Sequence, residues 1–329
     1  MIINVLLAFA LSFGVTAGVG AILVPALRRM KAGQSIREDG PVWHMTKQGT
    51  PTMGGLMFIC GIVAAVVFAI RDFGEGNFIY LIILGFALIY GFVGFLDDYQ
   101  KLKKKQNLGL TALQKFLLQL VVAVVLILIL RKSGHISPNL YIPFFDTTIL
   151  MPEWLYYIFA AFIIVGTVNA VNITDGVDGL VTGVSIPVAI CCTAVACVWG
   201  YLSVGVYAAA LAGGLMAFLI FNFHPAKVFM GDTGSLFLGG AICALAFALD
   251  APLILIPLGI VYIIETLSDI IQVGYFKLTH GKRIFKMAPL HHHFEMCGWS
   301  EYKLFAVFTS VSAIFAVISY LGLFDRYMI

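Results

Sequence analysis

Residues 155–199 read LYYIFAAFIIVGTVNAVNITDGVDGLVTGVSIPVAICCTAVACVW. Two uncharged apolar runs, Leu155–Val171 and Leu180–Trp199, flank a connector that holds Asn172, Asp175 and Asp178 and has almost no length. A bilayer hydrocarbon core of roughly 30 Å takes about 20 residues of helix, so each run is a membrane crossing and the chain turns back at once. Helices are favoured because lipid offers no partners for backbone amides. The alternation a membrane β-barrel needs is absent.

Working outward, the same reading gives ten spans: Val5–Leu27, Gly54–Ile70, Phe78–Leu96, Leu113–Leu130, Leu155–Val171, Leu180–Trp199, Val204–Phe221, Gly234–Leu249, Leu253–Ile271 and Leu304–Leu323. The expected fold is therefore an all-α polytopic membrane protein, residues 1–329 forming a single integral membrane unit. Composition agrees: 61% of the 329 residues are hydrophobic and 11% charged, against about a quarter charged in soluble domains. No stretch is polar enough for a separate soluble domain, and a net charge of +3 is too small to suggest nucleic acid. The first 27 residues lack a basic start and a small-residue cleavage site, which makes them a retained helix. The six cysteines show no Cys-x-x-Cys spacing and read as small apolar residues.

Lysine and arginine set the sidedness. Arg28, Arg29, Lys31, Arg37 and Lys47 follow span one; Lys101, Lys103, Lys104, Lys105 and Lys115 follow span three. Lys227 follows span seven, and Lys277, Lys282, Arg283, Lys286 and Lys303 follow span nine. These sixteen stand against four on the other face: Arg71, Arg131, Lys132 and Arg326. The odd-numbered loops are thus expected in the cytoplasm and both termini outside. Eleven of the 17 acidic residues keep to the same side, among them Glu38, Asp39, Glu295 and Glu301. Topology does not require that of acids.

The inward polar residues come in clusters. Asp97-Asp98 closes span three; it is either a polar helix end at the headgroups or a carboxylate pair that needs a metal ion or a lysine to neutralise it. Asn169, Asn172, Asp175 and Asp178 recur every third residue, which a plain connector does not need, and their spacing is not that of a calcium loop. Asp232, in Phe229-Met230-Gly231-Asp232-Thr233-Gly234-Ser235, is either an N-cap or a magnesium ligand beside backbone amides able to hold phosphate. Glu265, Ser268, Asp269 and Gln272 form one polar stripe on span nine, either an interhelical seam or the wall of a cavity. His291-His292-His293-Phe294-Glu295 lies in the longest inward loop. Three consecutive histidines rarely converge on one zinc ion, so anion binding or tethering of the loop is the better reading. Lys47-Gln48-Gly49-Thr50-Pro51-Thr52-Met53-Gly54-Gly55 precedes span two and lacks P-loop spacing.

These strings, in this order across residues 47–295, closely resemble the phospho-N-acetylmuramoyl-pentapeptide-transferases, a family of the polyprenyl-phosphate N-acetylhexosamine-1-phosphate transferase superfamily. The resemblance covers essentially the whole chain. It implies transfer of phospho-N-acetylmuramoyl-pentapeptide from UDP to undecaprenyl phosphate, releasing UMP and forming lipid I for peptidoglycan. It implies magnesium dependence, a homodimer, and a bacterial inner membrane with the active site facing the cytoplasm. Carried over by position, Asp232 resembles the magnesium ligand and Asp97 and Asp98 the essential acidic pair. Lys47, Asn172, Asp175, Asp178, Phe229 and Gln272 resemble the nucleotide side, with Phe229 placed to stack on uracil. Thr52, Lys115, Asn222, His291, His292 and His293 complete the implied site. Asp269 departs from the family pattern, which carries an apolar residue there. Two other functions fit the outline: a polyprenyl-phosphate N-acetylglucosamine-1-phosphate transferase, against which the triple histidine speaks, and a secondary transporter. A transporter site is expected near the midplane between repeats, and no internal repeat is visible.

Overall fold

The computed structural model describes residues 2–30, 47–69, 78–104 and 109–324. Lys31, Arg37, Glu38, Asp39, Ile70, Arg71, Lys105 and Arg326, used above for spans and sidedness, lie outside the described residues. The helices are α1 (Ile2–Arg29), α2 (Gly55–Ala69), α3 (Ile79–Lys104), α4 (Ala112–Lys132), α5 (Glu153–Thr174), α6 (Leu180–Val198), α7 (Leu202–Asn222), α8 (Gly231–Ala248), α9 (Leu255–Leu258), α10 (Ile260–Leu278), α11 (Leu290–Glu295) and α12 (Glu301–Phe324). Eight of them are long and apolar enough to cross a membrane, and a bent pair makes up to nine; α2 is apolar but shorter, with 15 residues. The chain is thus a multi-pass helical membrane protein.

Between α4 and α5, outside the expected spans, the chain forms a small antiparallel hairpin, β1 (Asn139–Ile142) paired with β2 (Thr147–Leu150). One feature departs from the expected spans. Span nine is broken: a 3-10 turn at Pro252–Ile254 leads into α9, and the chain bends by 78° before α10. Pro257 offers no N–H to the preceding turn, and Gly259, at the break, tolerates the change of direction. Beyond the bend, Tyr262, Glu265, Ser268 and Gln272 are buried while Ile264, Leu267, Ile270 and Ile271 face outward.

Helix α8 is the axis of the molecule. Nearly all of its side chains are buried, against α3, α5 and α2 among others. Lipid is as apolar as leucine, so helices associate through close backbone approach at small residues rather than through hydrophobic gain. That is how α8 is held. A Cβ on Gly55 would stand 2.2 Å from Gly234 Cα, one on Gly239 2.8 Å from Val168 Cα, and one on Gly94 2.0 Å from the Asp232 carbonyl oxygen. Polar links add to this across α3, α4 and α5: the Tyr90 hydroxyl donates to the Gln119 carbonyl at 2.7 Å, and Asn169 Nδ2 donates to Gln119 Oε1 at 2.6 Å. The outer helices carry lipid-facing side chains such as Ile22 on α1, Val121 on α4 and Leu321 on α12.

Gly94 is the tightest test of this packing. Gly94→Ala is expected to cost about 1–3 kcal/mol by overpacking, read as a lowered unfolding temperature of the purified protein.

Candidate functional site

The C-terminal end of α3 meets the first turn of α8. No side chain of its own caps the α8 N-terminus; the acceptors come from α3. Asp98 Oδ1 accepts from the Asp232 N–H at 3.1 Å, and Asp98 Oδ2 accepts from the Thr233 N–H at 2.9 Å and the Thr233 hydroxyl at 2.7 Å. The N-cap role considered above for Asp232 therefore falls to Asp98. Gly231, at φ +73, makes the turn possible; a Cβ there would lie 2.7 Å from both Asp98 Oδ2 and Thr52 Oγ1.

Asp232 is thereby turned toward Asp97. Lys101, one turn after Asp97 on α3, places Nζ 2.6 Å from Asp97 Oδ2 and 2.8 Å from Asp232 Oδ2. The former is an ion contact without hydrogen-bond alignment; Asp97 Oδ1 accepts from the Leu110 N–H at 2.8 Å. Helix α4 opens with a capping box, Thr111 and Gln114 exchanging side-chain bonds with each other's N–H. That start sets Lys115, whose Nζ reaches Asp232 Oδ2 at 3.1 Å and Asn172 Oδ1 at 3.4 Å. Asn172 Nδ2 donates to Asp232 Oδ1 and to Ser235 Oγ, both at 2.7 Å. Asp97, Asp98, Asp232, Lys115 and Asn172 thus converge, joined by Lys101.

Lys47 and Asp178 form a second group. Lys47 Nζ donates to Asp178 Oδ1 at 2.8 Å and to Glu301 Oε2 at 2.7 Å. Asp178 Oδ2 faces His224 Nδ1 at 3.0 Å and accepts from the Ala226 N–H at 2.9 Å, while the Asp178 N–H donates to Glu301 Oε2 at 3.2 Å. Two backbone bonds tie the Lys47 loop to the Phe229 loop: Phe229 N–H to the Pro51 carbonyl and Gly54 N–H to the Phe229 carbonyl, each 2.8 Å. They leave the Phe229 ring half-exposed.

Other site candidates have structural partners. Asn222 is buried, its Oδ1 accepting from Thr182 Oγ1 at 2.9 Å and its Nδ2 donating to the Val228 carbonyl at 3.0 Å. Gln272 binds the 284–285 backbone at 3.0–3.1 Å through both ends of its amide. Glu265 contacts His291 Nδ1 at 2.8 Å. The polar stripe of α10 is therefore a seam that holds the loop carrying α11. Asp269 is half-exposed, with no ion pair among the described residues. His292 Nδ1 lies 2.7 Å from Glu295 Oε2, and His293 Nδ1 accepts from the Lys286 N–H at 3.1 Å.

The glycosyl transferase family 4 model matches residues 79–250, and the signature 1 of the phospho-N-acetylmuramoyl-pentapeptide-transferases matches residues 47–59. The chain is 46% identical over 314 residues to the phospho-N-acetylmuramoyl-pentapeptide-transferase of Geobacillus thermodenitrificans, covering 95% of this chain and 96% of that one. It is 46% identical over 321 residues to that of Clostridium perfringens strain 13, with 97% and 99% covered. Against that of Heliobacterium modesticaldum it is 48% identical over 318 residues, with 95% and 96% covered. This chain belongs to the phospho-N-acetylmuramoyl-pentapeptide-transferase family.

Membership makes the chain a transferase and sets the transporter reading aside. Residue-type reasoning missed Lys101 and Glu301 as members of the site, and took His224 only as part of the Asn222-Phe223-His224-Pro225 string. Lys101 was legible in the Asp97-x-x-x-Lys101 spacing, one helical turn on α3; Glu301 carried no local signal. As a metal site the Asp97, Asp98 and Asp232 group fits: each offers an oxygen within 4.8 Å of the others, the hard donor set that divalent cations take. Asp178, His224 and Glu301 also lie within that reach, but the Lys47 ammonium already stands between two of them.

Asp175, just beyond α5, carries the electrostatic mark of the site. Burial, followed by the charges of Asp232, Asp98 and Asp178, pushes its carboxyl well above the usual carboxylate range. A raised acid is neutral in both folded and unfolded states at low pH; as pH rises the unfolded chain ionises first and the folded state loses stability. Asp175→Asn is expected to raise the unfolding temperature at pH 7–8 and to leave it unchanged near pH 4. A melting series across pH checks the sign.

Proposed function

We propose that this chain transfers phospho-N-acetylmuramoyl-pentapeptide from its UDP carrier to undecaprenyl phosphate, giving lipid I and UMP in peptidoglycan synthesis. The observation that carries the proposal is the Asp97–Asp98–Asp232 cluster with Lys101 and Lys115, in a chain bearing this family's signature at residues 47–59. The same signature weighs against the N-acetylglucosamine-1-phosphate branch.

In this reaction an oxygen of the lipid phosphate forms a bond to the sugar-bearing phosphorus, and the bond from that phosphorus to UMP breaks. One phosphoanhydride replaces another, so the barrier is mainly the approach of anions. Lys101 and Lys115 stand where that charge gathers, and Asn172 and Asp98 keep Asp232 from turning away. Asp97 and Asp232 are the residues to hold magnesium, which when bound neutralises phosphate charge and stabilises the transferring group. Asp98, with both oxygens engaged by the α8 N-terminus, is a poor candidate for general base and serves to place Asp232. Phe229, Lys47 and Asp178 form the nucleotide side.

A groove supports the lipid side. A cavity of about 560 Å³ runs between α4 and α5, from Phe116 and Asn169 to Val124 and Ile158. Asn169 to Ile158 is 11 residues, or about 16 Å of helix. Its inner end adjoins Lys115 in sequence, so a polyprenyl chain in the groove would bring its phosphate to the site. The 16:4 distribution of basic residues supports ten spans with both termini outside and a site facing the cytoplasm; a homodimer rests on the family likeness.

Purified protein with UDP-linked muramoyl-pentapeptide, undecaprenyl phosphate and magnesium should release UMP, and Asp232→Asn should abolish release; a wild-type preparation that releases none refutes the proposal. Gly166 lines the groove, and a Cβ there meets nothing within 4 Å. Gly166→Leu should therefore fold normally yet raise KM for the polyprenyl phosphate several-fold, with KM for the nucleotide substrate unchanged.

A further inference from the structure

Within the α10 seam one pair does something an anchor does not require. Glu265 and His291 are both fully buried. The Glu265 carboxylate stands 2.8 Å from His291 Nδ1 and also accepts the His291 backbone N–H, at 3.2 and 3.4 Å. A carboxylate taken out of water is costly, and an apolar contact would hold the loop more cheaply. What the carboxylate supplies is direction. By accepting at Nδ1 it fixes both the ring and the tautomer, leaving Nε2 as the nitrogen open to change.

Nε2 is buried and has no partner among the described residues. Its neighbours explain why it is presented rather than stranded. It lies against Gly176, where a Cβ would come within 2.2 Å of it, so only glycine leaves it room. Gly176 sits on the short connector between Asn172, which donates to Asp232 Oδ1 at 2.7 Å, and Asp178, which accepts from Lys47 at 2.8 Å, so the turn joins the two groups of the site. His292 and His293, by contrast, are engaged by Glu295 and by the Lys286 amide.

We propose that Glu265 is a positioning residue for the transfer, holding His291 so that Nε2 meets the anionic diphosphate of the nucleotide-linked substrate. This rests on the reaction proposed above. An imidazole N–H at Nε2, held in this direction, suits a phosphate oxygen.

Asn and Gln at position 291 separate the two nitrogens. The amide of His291→Asn reaches the Nδ1 position and keeps the Glu265 contact, whereas that of His291→Gln reaches the Nε2 position and gives the contact up. Measured on full-length purified enzyme, with kcat and KM determined for each substrate, His291→Asn should lose about 10²-fold or more in kcat. His291→Gln should exceed His291→Asn, and Glu265→Gln should lower kcat about tenfold or more with KM little changed. Glu265→Gln added to His291→Asn should cost little further, since the two act through one atom. Gly176→Ala, which fills the space beside Nε2, should likewise lower kcat in the wild-type background and do little in His291→Asn. An anchor would give the reverse ranking: His291→Asn near wild type, or above His291→Gln, overturns the proposal, as does full additivity of Glu265→Gln with His291→Asn. Unfolding temperatures identify a variant that has simply lost its fold. A wild-type enzyme that releases no UMP refutes the proposed reaction instead.

Discussion

The carboxylate of Asp98 on the N-terminus of α8 is the contact on which the rest depends. A helix N-terminus buried in protein has backbone donors with no partner within the helix, and α8 is the most enclosed helix of the chain. Asp98 meets two of those donors and a hydroxyl from the neighbouring helix, with a charge that also opposes the positive end of the helix dipole. Charge-assisted bonds of this kind contribute about 1.5–3 kcal/mol each. One interaction therefore fixes the end of α3 against the start of α8. Because Asp97 and Asp232 are the next residues on either side of it, the packing of the bundle and the geometry of the acidic cluster are the same fact.

The close approach of Gly94 to the Asp232 carbonyl serves the same end from the other direction. It removes the bulk that would separate the helices, while Asp98 supplies the bond that draws them together. Gly231 completes the arrangement, since its left-handed turn lets the chain enter α8 directly beneath Asp98 and Thr52. The Lys47 and Phe229 loops join above this point through paired backbone bonds, so the Lys47–Asp178 group is built on the same corner.

Much of this was legible in the sequence, and the exceptions have a common cause. Apolar runs of helical length reveal spans because the bilayer imposes its thickness, and the Asn169–Asp178 and Asp97–Asp98 strings reveal polar faces because membranes admit few of them. What a linear reading does not contain is which distant group each polar residue meets. Lys47 and Glu301 are separated by 254 positions and lie 2.7 Å apart. Asn222 and Gln272 have the residue types of a binding site, and in the structure the Asn222 amide holds the Thr182 hydroxyl of α6 and the Val228 carbonyl while the Gln272 amide holds the 284–285 backbone. The bend at Gly259 was hidden by a run whose hydropathy does not change across it. Asp98 is the most instructive, since nothing in its local sequence shows the three donors that it accepts from at the start of α8.

The balance of charge shows why such a site calls for a further cation. Three carboxylates, Asp97, Asp98 and Asp232, stand against two ammonium groups, Lys101 and Lys115. The cluster is therefore not positive as it stands, and Asp175 beside it is already driven toward its neutral form. Both substrates of the proposed reaction bring more negative charge. The lysines now contact Asp232, and each one that turns to a phosphate leaves carboxylate charge uncompensated in a partly buried setting, where attraction and repulsion are screened less than in water. Substrate binding and carboxylate neutralisation thus compete for the same two lysines. A divalent ion held by Asp97 and Asp232 would relieve that competition, leaving Lys101 and Lys115 for phosphate while Asp98 keeps the frame in place.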